Sequence, residues 1–115
     1  SGGFQDYTDY AKYDYSAANL SENLWLEKIQ ETDLPVIHAH LDDFEGWIET
    51  IGRTEPDSEV VVNYDFDRSV IDAEDYFYID SEERTWEDGQ TTFVNYDVYF
   101  FDTQTQVFYF FHNNI

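Results

Sequence analysis

The sequence predicts an α+β domain, with N-terminal helices packed on one face of a C-terminal antiparallel sheet of about four strands. One change along the chain and one bulk property lead there. Up to about residue 52 the apolar residues recur at spacings of three and four, and from about residue 59 they alternate with polar ones. The chain has 115 residues, of which 20% are aromatic, enough apolar surface for one core and too little length for two. One domain is therefore expected over 1–115, helical over 4–52 and mostly strand over 59–112.

Phe4, Tyr7, Ala11, Tyr15 and Ala18 follow helical spacing, and Ser21 can cap a second helical segment through Leu24, Trp25 and Ile29. The stretch Thr32 to Pro35 should break it. In "HLDDFEGWIETIG" the residues Leu41, Phe44, Ile48 and Ile51 form one stripe, which leaves Asp42, Asp43, Glu45 and Glu49 outside it. Gly52 offers a C-terminal cap. After "RTEPDS", Val60, Val62, Tyr64 and Phe66 alternate with Val61, Asn63 and Asp65, the pattern of a strand. "YFYID" at 76–80 is a second strand, and "TTFVNYDVYFF", "DTQT" and "QVFYFFH" form a closing hairpin. Residues 67–75 are expected to be a loop and 81–90 a turn with Gly89.

Charge dominates the composition. Against 26 Asp and Glu stand five basic residues, Lys12, Lys28, Arg53, Arg68 and Arg84, for a net charge of −21. Most carboxylates must face water and create a strong negative field, which repels nucleic acid and anionic membranes and attracts basic partners. With no cysteine, disulfides and thiolate metal sites are excluded, as in a reducing cytosol. No apolar run of 18 or more residues occurs, so neither a membrane-spanning helix nor a signal peptide is expected. The expected state is a cytoplasmic monomer.

Catalytic and metal signatures fail one by one. Asp65-Phe-Asp67-Arg-Ser69 opens like a calcium loop, but Val70 stands where the turn needs Gly and Tyr76 where a bidentate Glu is needed. His38 and His40, followed by Asp42 and Asp43, supply ligand types for a divalent ion, yet both imidazoles share a face only in an extended segment. Carboxylate pairs are too abundant to single out an acid and a base, and there is no Cys nucleophile, nucleophile elbow or phosphate loop. No enzyme, cofactor or metal is expected. The ten tyrosines do not make a base-stacking platform, because acids and not bases lie between them.

The density of charge is the remaining signal. Duplex DNA carries one charge per about 1.7 Å of axis, so 21 charges match roughly 36 Å of duplex, while a chain of this length has a diameter of roughly 34 Å. Carboxylates fixed on helices and strands can imitate phosphate spacing: i and i+4 side chains lie about 5 to 6 Å apart, and alternate strand positions about 6 to 7 Å apart. One expected contact strip is Asp42, Asp43, Glu45 and Glu49. Another is Asp65, Asp67, Asp72, Glu74, Asp75, Glu82 and Glu83.

In size, composition and stretches such as "LDDFEGWIE" and "DAEDYFYIDSEE", the chain resembles the DNA-mimic proteins of bacteria and phages, most of all neisserial mimics that engage the histone-like protein HU. The resemblance implies a cytoplasmic protein that competes with DNA for the groove of a basic DNA-binding protein. Three other readings fit the same composition. An immunity protein would cover the basic cleft of a nuclease toxin, a halophile surface would need molar salt, and an acidic domain could belong to a larger assembly.

Overall fold

The computed structural model describes residues 7–15 and 25–114. Five strands form one antiparallel sheet in the order β1-β5-β4-β3-β2: β1 Tyr7–Asp14, β2 Glu27–Lys28, β3 Tyr76–Thr85, β4 Thr91–Asp102 and β5 Val107–Asn114. A long helix, α1 Leu34–Thr54, covers one face, and a short one, α2 Glu59–Asn63, follows it. No helix among the described residues is long and apolar enough to cross a membrane.

The α1 stripe is where its spacing places it. Ile37, His40, Leu41 and Phe44 are buried, with Phe44 fully enclosed, and Ile48 packs beside them. Thr32 to Pro35 starts this helix instead of ending one: Asp33 Oδ2 accepts from the Gln30 amide at 2.9 Å, and Pro35 occupies the first turn, where no intrahelical donor is required. Beneath the helix lie Tyr10 of β1, Phe77 of β3, Tyr96, Val98 and Phe100 of β4 and Phe111 of β5.

Three expectations are corrected. The helix expected over 4–31 is replaced, where described, by strands: Tyr7–Asp14 pairs with β5 along its whole length, and Glu27–Lys28 pairs with Phe77 and Tyr76. Phe4, Ala18, Ser21 and Leu24 lie outside the described residues. The strand expected from Val60 to Phe66 is instead α2 followed by an extended segment. Val60 and Tyr64, one helical turn apart, pack on the core, Val62 stays exposed, and Phe66 inserts against Phe100 and Phe111. The sheet thus has five strands, two of them ahead of the long helix in sequence. The closing hairpin and the strand at 76–80 stand as expected, but β3 continues through Thr85, so the expected turn shrinks to residues 86–90.

The face away from α1 is aromatic too. Trp25 lies 4.8 Å from Tyr99, which lies 5.1 Å from Phe110. A register shift at Glu82 and Glu83 rotates the outer half of the β3–β4 hairpin, and residues 80–92 are exposed throughout.

Candidate acidic docking surface

The carboxylates of the first expected strip are held in place from below and from the side. Tyr96, on the sheet under α1, donates its hydroxyl to Asp43 Oδ2 at 2.6 Å. Tyr64 donates to Glu45 Oε2 at 2.7 Å, and the Arg68 guanidinium bridges Asp42 at 2.8 Å and Glu45 at 3.0 Å. Arg53 caps Glu49 at 2.9 Å, one turn along the exposed face of the helix. Burial, then the acceptor carboxylate, pushes the Tyr96 and Tyr64 hydroxyls far above the ordinary phenol range, so both remain donors at any physiological pH. Asp43 and Glu45 are thereby anchored to the core, and two guanidiniums offset part of the strip's charge.

The second expected strip is divided among three places. Asp65 and Asp67 lie beside β1, where Tyr10 donates to Asp65 at 2.8 Å and Lys12 forms an ion pair with it. Those two hydrogen bonds, that of Lys12 being the stronger, hold the Asp65 carboxyl below its usual range, and the Ser69 amide does the same for Asp67. Asp72 and Glu74 lie before β3, with Glu74 3.7 Å from Lys28. Glu82 and Glu83 sit near the far end of β3, about 23 Å along the strand from Asp75 at 3.3 Å per residue.

Asp75 does not reach the surface at all. Its side chain is fully enclosed, accepting from the Asp72 amide at 3.0 Å and from the Thr103 amide at 3.0 Å, so it ties the entry of β3 to the β4–β5 turn. Removal from water, reinforced by Asp72 and Asp102, raises its pKa to about 6 despite those donors.

The histidines are occupied as well. His40 is buried, with Nδ1 donating to the Val36 carbonyl at 2.8 Å and Nε2 2.8 Å from the Ser81 hydroxyl. His38 points to Arg68, 3.3 Å away. Two residues apart on a helix, the imidazoles diverge, and no cluster fit to hold a metal ion exists among the described residues.

What the fold brings together is one acid pair from α1 and one acid from β3. Asp42, Asp43 and Glu83 line a cleft of about 380 Å³ between the helix and the hairpin, floored by Phe93 and edged by Thr91 and Thr92. On the opposite face of β3 the hairpin carries Asp80 and Glu82, and its turn carries Glu87 and Asp88, all exposed. Sequence reasoning passed over Asp80, Glu87 and Asp88. The period-two spacing of Asp80 and Glu82 beyond "YFYI" is the signal for Asp80, and the spacing of Glu87 and Asp88 carries none. Arg84, the single base on this hairpin, lies over the Trp86 ring at 5.0 Å. The chain matches no protein-family model, no curated protein and no solved structure.

Proposed function

We propose that this protein is a DNA mimic that occupies the DNA-binding surface of a basic cytoplasmic protein such as the histone-like HU, with surface carboxylates in place of phosphates. The observation that carries the reading is the fixing of these carboxylates. Asp43 and Glu45 are tethered by tyrosines rooted in the core, Asp42 by Arg68, and Asp42 and Asp43 share a cleft with Glu83. A merely solvating acidic surface needs no such tethers, whereas imitation of a stiff polyanion requires charges that do not move when the partner arrives.

The contact set narrows accordingly. Asp42, Asp43 and Glu83 form the contact surface on the α1 side, Glu87 and Asp88 extend it to the hairpin turn, and Asp80 and Glu82 carry the charge around to the opposite face of β3, while Asp75 is structural. Asp65, Glu74 and Glu49 add less, because they lie outside the cleft and each has a base to itself, whereas Arg68 is shared between Asp42 and Glu45. The test is competition: unlabelled protein is titrated into HU bound to a fluorescent duplex at about 0.1 M salt. Release of the duplex supports mimicry. A protein that binds no HU, or binds it without displacing DNA, refutes this target.

A further inference from the structure

Along its inner side β3 pairs with β4 from Tyr76 to Thr85, but on its outer side, among the described residues, only Tyr76 and Phe77 have partners, in the two-residue β2. Among the described residues, no strand pairs with the outer edge from Tyr78 to Thr85. Such an edge carries unpaired amides and carbonyls, a ready template for another strand.

Side chains on both sides of this edge are arranged to receive one. Toward α1, a groove of about 470 Å³ runs beside Ile79 and Ser81, with exposed Val36 on one wall and Glu27 and Glu83 at its ends. On the opposite face the partly open rings of Tyr78 and Trp25 lie 5.7 Å apart, and the carboxylates of Asp80 and Glu82 continue the same row.

We propose that this edge takes an extended, basic segment of a protein partner as an added strand. Backbone pairing supplies the hydrogen bonds, and alternate side chains enter the two faces. Apolar side chains suit the Val36 and Ile79 groove, and arginines suit the rings and carboxylates of the other face, through cation–π contact and ion pairing. A second copy of this chain is the wrong occupant. It would set Asp80, Glu82 and Glu83 against like charges on a molecule of net charge −21. The same acids that guard the edge against self-pairing select a basic strand.

The proposal concerns the strand edge and does not depend on competition with DNA. Its test is titration of the isotope-labelled protein with a capped ten-residue peptide of alternating Arg and Val, followed by amide resonances and hydrogen exchange. A second peptide with alternate backbone amides methylated keeps the charge and loses the pairing. The expected result is slowed exchange at alternate amides between Tyr78 and Thr85, with at least ten-fold weaker binding of the methylated peptide. Asp80→Lys with Glu82→Lys should weaken the first peptide by a similar factor. Equal binding of both peptides, no binding, or perturbation confined to α1 would overturn the proposal.

Discussion

Tyrosine is the residue that turns an acidic composition into a structured surface. Tyr10, Tyr64 and Tyr96 each keep the ring in the core and the hydroxyl at its border, donating to Asp65, Glu45 and Asp43. Tyr96→Phe leaves Asp43 without its donor, and urea unfolding should show a loss of about 1.5 to 3 kcal/mol, as for hydrogen bonds to charged groups. An unchanged midpoint would mean that the tether contributes nothing. Asp75 acts in the opposite sense. Its folded-state pKa of about 6 lies above the ordinary 3.8, so the native state holds the proton more tightly than the unfolded chain. The contribution of this group to stability is greatest below about pH 4 and is lost as pH rises through about 6, a difference of roughly 3 kcal/mol. Asp65 and Asp67, with lowered pKa values, stabilise above the ordinary carboxylate range and lose that effect in stronger acid. Wild type should therefore gain stability from about pH 7 to about pH 4.5, and Asp75→Asn should remove most of that gain; equal gains in both would contradict the assignment. None of this was legible in the sequence, where Asp75 is one acid among many and only the Thr103 and Asp72 amides distinguish it.

At the level of elements, legibility followed the number of faces a segment buries. α1 has one apolar stripe, and its expected register matches the buried Leu41 and Phe44. β1 lies in a sheet with aromatic residues on both faces, and Tyr7, Ala11 and Tyr15, four apart, have a spacing that one face of an extended chain shares with a helix. α2 failed for the reverse reason. Three valines in succession favour a strand, but Ser58 and Glu59 open a helical turn that lets Val60 and Tyr64 reach the core together. The candidate site was half legible: the α1 acids were found as a group, whereas the meeting of Asp42 and Asp43 with Glu83 depends on how the hairpin leans toward the helix. That hairpin turns at Gly89, whose φ of +84° disfavours any side chain. Gly89→Ala should cost about 1 kcal/mol in thermal unfolding, by distorting the turn and not by collision, since an added Cβ would meet nothing within 4 Å. A neutral result would show that the hairpin end can rearrange freely.

The whole molecule measures 42 Å along its longest axis, a length over which duplex DNA carries roughly 25 charges against the net 21 here. Lys12, Lys28, Arg53 and Arg68 offset four charges among Asp65, Glu74, Glu49, Asp42 and Glu45, and of these acids only Asp42 lines the cleft, so the exposed acids of the β3–β4 hairpin and Asp43 keep their charge. The central claim is that this charge, in this arrangement, stands in for phosphates. The most direct measurement is the competition of HU between a labelled duplex and two neutralised variants of equal charge. One carries Asp42→Asn, Asp80→Asn, Glu82→Gln and Glu83→Gln; the other carries Asp14→Asn, Glu31→Gln, Glu55→Gln and Asp57→Asn, exposed acids elsewhere on the protein. The account predicts that the first variant loses at least ten-fold in displacing the duplex and shows a shallower salt dependence, while the second stays within about three-fold of wild type. Equal losses in both would mean that net charge alone acts, and would contradict the assignment of a patterned surface.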